Sequence, residues 1–195
     1  MITTRWAVTT GPTAEPITLT EIKDHLGIDD TDSDARLDLL LMSARIHVER
    51  QTSRSLLTQT ITAYFETWPG SKFTLPRASP LQSVTSVKYI DEDGVLQTVS
   101  TSIYDVYTTQ EPGEIRLAYG QTWPTHRSET DAITIEYVAG WSDRQSVPAD
   151  LRTAIMWLVG HWNENREATT TMNLAPVPFQ LQGLINSYRV HWMHP

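Results

Sequence analysis

Residues 34–52, DARLDLLLMSARIHVERQT, hold the clearest structural signal in the chain. One set of apolar residues recurs with the spacing of a single face of an α-helix: Leu37, Leu40, Leu41, Ala44 and Val48. A second set lies on nearly the opposite side of that helix: Leu39, Met42 and Ile46. Both apolar faces of such a helix have to be covered by other parts of the protein or by a partner. We expect one cover from its own domain, and the other from a second layer of that domain or from a neighbouring subunit.

The composition of the 195 residues limits the class of protein. Hydrophobic residues make up 39% and charged residues 19%, which indicates a globular body with a real core. The 15 basic and 23 acidic residues give a net charge of −8, which argues against a protein that grips nucleic-acid phosphates. The absence of cysteine excludes disulfides, thiolate metal sites and a cysteine nucleophile. No apolar run approaches the roughly 18 residues of a membrane span, so we expect a soluble protein with no membrane partner.

The sequence predicts helices first, then strands, and then helices again. Its predicted segments are an extended arm at 1–16, N-terminal helices at 17–56, a β domain at 57–141, a C-terminal helix at 147–167, and a linker with a C-terminal docking segment at 168–195. The β prediction rests on short alternating runs rich in β-branched and aromatic residues, separated by turn signals such as Asp93-Gly94. The sequence therefore predicts an α+β protein: a helical bundle, made of N-terminal and C-terminal helices, with an inserted antiparallel β domain.

The helix predicted after Pro148 carries one apolar stripe of its own. Its members are Leu151, Ala154, Ile155, Leu158 and Trp162. Helices with matching stripes pack together even when they are far apart in sequence. We therefore expect this helix to cover the first apolar face of 34–52. The second face, Leu39, Met42 and Ile46, is then the predicted contact with a neighbouring subunit.

No pattern of catalytic residues stands out. The chain has no G-x-S-x-G elbow, no P-loop and no G-x-G-x-x-G. His161 and Glu164 are spaced i, i+3 and offer two possible metal ligands on one helix face, but nothing nearby supplies a third and fourth. The acidic residues of 29–34 lack the glycine and terminal glutamate of an EF-hand loop. We expect no enzyme activity, no cofactor and no metal.

Three tryptophans adjoin turns or strand ends: Trp68, Trp123 and Trp141. Exposed aromatic residues at such places bind sugars or protein surfaces. The same residues also serve to fill the ends of a small β-sandwich. The sequence leaves both interpretations open.

Six segments, taken in order from about Pro16 to Arg189, resemble phage head–tail connector proteins, the adaptor or head-completion subunits of tailed phages. The segments are Pro16 with LTEIKDHLGID, ARIHVERQTSRSLLTQT, LPRASPLQSVTSVKYIDEDG, ITIEYVAGW, VPADLRTAIMWLVGHWNENRE, and PVPFQLQGLINSYRV. The order of the six segments along the chain carries the resemblance. The residues before Pro16 and the closing HWMHP are not covered.

The resemblance implies a structural subunit of the virion, made in the bacterial host cytoplasm and placed at the head–tail interface. Such proteins form a ring, commonly dodecameric, between portal and tail, and DNA passes through without specific binding. The implied partners are the portal protein and a tail-side connector or stopper protein. The implied portal-binding residues lie in the closing segment: Phe179, Leu181, Leu184, Tyr188 and Arg189. The alternative function is a carbohydrate- or protein-binding β module of a tail or baseplate accessory protein, acting through the three tryptophans.

Overall fold

The computed structural model describes residues 5–165 and 179–190. Within these ranges the helices are α1 (Leu19–Leu26), α2 (Asp34–Thr52), α3 (Ala149–Glu164) and α4 (Phe179–Ser187). The strands are β1 (Arg5–Thr10), β2 (Gln59–Phe65), β3 (Lys72–Thr74), β4 (Leu81–Ile90), β5 (Leu96–Thr98), β6 (Tyr104–Tyr107), β7 (Glu114–Leu117) and β8 (Ile133–Ala139). The strands form antiparallel sheets, so the prediction of a mixed α+β protein is confirmed.

The described residues divide into two compact units. The β unit contains Thr58–Gly140 together with strand β1, and the helical unit contains Thr13–Leu57 and the described part of Trp141–Arg189. Each unit has an apolar core of its own.

The helical unit begins with a well-formed cap. The Thr18 hydroxyl accepts a hydrogen bond from the Glu21 backbone N–H at 3.1 Å, and the Glu21 carboxylate accepts one from the Thr18 N–H at 2.7 Å. This is a capping box, which satisfies two N–H groups that a helix terminus otherwise leaves unpaired. Gly27 ends α1 in the left-handed conformation, with φ of 65°.

Helix α2 lies at the centre of the helical core. Its first apolar face is buried, since Leu37, Ala44 and Val48 have no exposed surface and Leu41 only 2%. That face shares one cluster with the predicted stripe of α3 and with α4. The predicted packing of α2 against α3 is therefore confirmed. Leu40 is only partly buried because it lies at the edge of the face.

The β unit holds a five-stranded sheet, in the order β1-β2-β8-β4-β5, and a three-stranded sheet, in the order β3-β7-β6. Alternate residues of β8 are buried, as the alternating pattern predicts for a strand with one covered face. The predicted hairpin is present: β4 pairs with β5 across a turn in which Gly94 has a φ of 82°.

The residues predicted as an extended arm at 1–16 contain a strand. Arg5–Thr10 pairs with β2 as the edge strand of the larger sheet. All six side chains of β1 are exposed. Backbone hydrogen bonds to β2 hold the strand, together with side-chain contacts such as that of the Arg5 guanidinium over the Tyr64 ring. No buried-face alternation marks the strand in the sequence.

Candidate subunit interface of the helical unit

Three apolar side chains stand exposed along α2. Leu39 is 58% exposed, Met42 40% and Ile46 41%. Their spacing of three and four residues places them on one side of the helix, opposite the face that packs against α3. We call these three residues the α2 ridge. Their separation from the core was predicted, and their role as a subunit contact stays a prediction.

A hollow of about 300 Å³ lies beside the ridge. It is lined by Ser43, Ile46, His47, Arg50, Gln51 and Trp162. The His47 ring meets the Trp162 ring edge-on, with centroids 5.9 Å apart. Burial, followed by the charge of Arg50, lowers the pKa of His47 below that of a free imidazole. His47 is therefore neutral near pH 7, and Arg50 is the charged group of the hollow.

A buried ion-pair network holds α2 in place behind the ridge. The Arg45 guanidinium lies 2.7 Å from the Glu15 carboxylate and 3.1 Å from that of Glu49. The other Glu49 oxygen accepts a hydrogen bond from the Leu56 backbone N–H at 3.0 Å. Burial raises the pKa of Glu15, and the hydrogen bond and charge of Arg45 oppose that rise. The network fixes the segments on both sides of α2 to the helix.

A second concave feature, which we call the α3 pocket, lies on α3. Its volume is about 360 Å³, and its lining residues are His25, Leu26, Trp157, Gly160, His161, Glu164 and Leu181. Trp157 is 43% exposed. A side chain added at Gly160 would place its Cβ 3.6 Å from Leu26 and 3.9 Å from His25, which is ordinary van der Waals distance. The pocket therefore has room for a small side chain at Gly160.

His161 and Glu164, which had the spacing of two metal ligands, are wall residues of this pocket. Across residues 5–165 and 179–190, no group of three or more His, Asp or Glu is placed to hold a metal ion. In the acidic turn before α2, Asp30 accepts a hydrogen bond from the Asp32 N–H, and Asp34 pairs with Lys23 at 2.8 Å. Of the helices in the described ranges, none is long and apolar enough to cross a membrane.

The predicted docking segment forms α4 and packs on the helical core. Leu181 is fully buried there, so in this structure it contacts the core and is not presented to a partner. Leu184 and Tyr188 are partly buried against the same core, and Arg189 is exposed. The side chain of Phe179 lies outside the described residues. A portal contact through this segment stays a prediction.

Two of the three tryptophans, Trp68 and Trp123, pack against each other within the β unit. The rings of Trp68 and Trp123 stack with centroids 4.4 Å apart and planes 9° from parallel. Their indole N–H groups donate to backbone carbonyls, that of Trp68 to Pro124 at 2.9 Å and that of Trp123 to Gly70 at 2.8 Å. Trp141 packs against the core of the helical unit. The stacked pair extends the β core, and Trp141 serves a different one.

The family is shown by a match over most of the chain. The model of the family described as "Head completion protein" matches residues 15–189. The chain belongs to the head completion protein family. The resemblance to phage head–tail connector proteins is thereby confirmed. No curated protein matches the chain.

Solved structures of gene transfer agent particles contain chains with the same fold as this family member. One, from the virion of a native particle, has 24% identity and a TM-score of 0.79 over 96% of both chains. Another, from the neck of an empty particle computed with C6 symmetry, has 23% identity and a TM-score of 0.79 over 98% of this chain and 100% of that one. A third, from the neck of a native particle computed with C12 symmetry, has 24% identity and a TM-score of 0.75 over the full length of both.

Sequence reasoning missed two parts of the site. Arg45 and Glu49 lie between the two apolar faces of α2, where charged residues are usually exposed, but both are buried. Their i, i+4 spacing was a visible signal for an ion pair, whereas their contacts with Glu15 and Leu56 depend on the tertiary fold. Trp157 is not a member of the predicted apolar stripe of α3. Its exposure could have been predicted from that position.

Proposed function

We propose that this chain is the subunit of a ring that joins the head of a tailed phage, or of a related particle, to its tail. Membership of the head completion family supports a head–tail connector role. The similar chains in particle necks computed with C6 and C12 symmetry support a cyclic assembly, and a dodecamer is the expected size. The proposed place of the protein is the head–tail interface of the virion, after synthesis in the host cytoplasm.

The α2 ridge is the observation that carries the proposal. A cyclic ring needs two different patches on each subunit, because every copy meets one neighbour on each side. Leu39, Met42 and Ile46 form a continuous apolar line on a helix whose opposite face already fills the core. Aligned exposed apolar residues mark interaction sites when they form a patch. The ridge supplies the first of the two patches.

In the proposed arrangement, a helical bundle drawn from both ends of the chain carries an inserted antiparallel β domain. The ring encloses the path of DNA, and the net charge of −8 keeps the wall from gripping phosphate. Salt screens that repulsion beyond about 8–10 Å, so it acts only close to the wall. The proposed partners are the portal protein and a tail-side connector or stopper protein. Arg189, at the end of the helical unit, is an exposed candidate for the portal contact.

Mass photometry of the purified chain, alone and with its portal, tests the ring. We expect a discrete multimer on the portal for the wild type, and loss of that multimer when the ridge is changed to Leu39→Ala, Met42→Ala and Ile46→Ala together. Val95→Ala and Leu96→Ala, which change exposed apolar residues of the β unit, are the matched control. Single copies on the portal for the wild type, or an unaffected multimer for the ridge variant, would contradict the proposal. Specific binding to duplex DNA would contradict free passage.

A further inference from the structure

We propose that the α2 ridge of one copy packs into the α3 pocket of the next copy. This inference rests on the ring proposed above and names the two surfaces that meet. The ridge is an exposed line of apolar side chains, and the pocket is concave, with Leu26 and the exposed Trp157 among its lining residues. Two unlike, complementary patches on each subunit are what a head-to-tail ring contact requires.

The ridge and the pocket of one copy do not face each other. The ridge lies on the side of α2 that is opposite the face packed against α3. The pocket lies on a side of α3 shared with His25 and Leu26 of α1 and Leu181 of α4. The two features have no lining residue in common, and only a second copy brings them together.

The size and chemistry of the pocket suit a side-chain anchor. About 360 Å³ is at the lower end for a small-molecule site, and the walls mix apolar and titratable groups. Met42, in the middle of the ridge, has an unbranched and adaptable side chain that fills irregular spaces. Trp157 supplies a broad exposed surface of the kind that dominates interface energies. The pocket therefore receives Met42, with Leu39 and Ile46 on either side.

The charges around the two surfaces are complementary. Arg50 is exposed one helical turn beyond Ile46, and Glu164 is exposed at the rim of the pocket. In an exposed rim such a pair adds little affinity but favours one orientation over others. Arg50 of one copy facing Glu164 of the next fixes the direction in which the ridge enters the pocket.

The absence of cysteine in the chain allows a direct test. Met42→Cys and Gly160→Cys are combined in one chain, assembled on the portal and treated with a short bis-maleimide cross-linker. The chain then carries no thiols other than the two introduced ones, and Gly160 has room for the new Cβ. We expect a denaturing gel to show a ladder of covalent multimers up to the full ring. Either single variant should stay monomeric on the gel.

The matched control combines Met42→Cys with Gln145→Cys, which is exposed before the opposite end of α3. It should give no ladder. A second test fills the pocket: Gly160→Phe should abolish the ring, whereas Gly160→Ala, whose Cβ meets only ordinary contacts, should keep it. If the wild type forms rings but the Met42 and Gly160 pair gives no ladder, the pocket is not the receptor and the ring stands. If the wild type forms no ring, the proposed function itself fails.

Discussion

Leu41 and Met42 should differ sharply in how much their replacement by alanine lowers the stability of the monomer. Leu41 is 2% exposed and Met42 is 40% exposed, although they are neighbours in one helix. Alanine is the best helix former, so both substitutions keep helix propensity. Leu41→Ala leaves a cavity in the helical core, for which we expect a loss of about 2–5 kcal/mol in the free energy of unfolding. Met42→Ala removes a partly exposed side chain, and the loss should stay below about 1 kcal/mol.

For assembly of the ring the order should be reversed: replacing the ridge residues should weaken the subunit contact more than replacing Leu41 does. Full burial of a Leu, Met or Ile side chain is worth about 1.5–3 kcal/mol. Because each ridge side chain is already about half buried in the monomer, its further burial in a subunit contact adds about 1 kcal/mol. Replacing Leu39, Met42 and Ile46 with Ala together should therefore weaken each contact by about 3 kcal/mol, or roughly 100-fold in the association constant.

Urea denaturation of the monomer and sedimentation velocity of the assembled ring separate the two effects. We expect Leu41→Ala to lower the urea midpoint, and the triple ridge variant to keep a near-wild-type midpoint while it fails to assemble. If the triple variant loses as much stability as Leu41→Ala, the ridge belongs to the monomer core. If it assembles at the same concentration as the wild type, the ridge is not a subunit contact. Either result refutes the reasoning.

Three further predictions concern the monomer. Glu49→Ala should lower stability by about 3 kcal/mol, because it leaves a buried guanidinium with one partner fewer; urea denaturation measures this. Gly113→Ala should destabilise by about 1–3 kcal/mol, since its Cβ would lie 2.3 Å from the Leu81 Cβ; thermal melting measures this. The hydrogen bond from the Thr18 backbone N–H lowers the pKa of Glu21. This carboxylate therefore contributes stability above its unfolded pKa of about 4.3, and that stability is lost as the pH falls through the lower folded pKa. Glu21→Gln should lack this part of the acid dependence in thermal melts between pH 2 and 6.

The parts of the fold that could be predicted are those that depend on the local spacing of apolar residues. The two apolar faces of α2 and the stripe of α3 follow the helical repeat, so the packing of the first α2 face against α3 could be predicted from the sequence alone. Short alternating runs bounded by turn residues predicted strands between 57 and 141, and strands β2 to β8 lie there, from 59 to 139. The exposure of Leu39, Met42 and Ile46 followed from the same helical geometry.

The parts that were missed depend on contacts between distant residues. All six residues of strand β1 are exposed, so no buried-face alternation marks it, and its pairing with β2 makes it the edge strand of the sheet. Arg45 and Glu49 are polar and would be placed on the surface by pattern alone, but each finds a charged or backbone partner inside. The burial of Leu181 against the helical core of its own chain was not indicated by its place in the closing segment, and a portal contact through that segment stays a prediction.

Cryo-electron microscopy of the chain bound to its portal is the measurement that bears most closely on the proposed ring, in which copies contact one another through the helical unit. We expect a closed ring of identical subunits with an open central channel and with Leu39, Met42 and Ile46 of each copy buried against the next copy. Separate, non-contacting copies on the portal, or a closed ring in which the α2 ridge faces solvent, would contradict it.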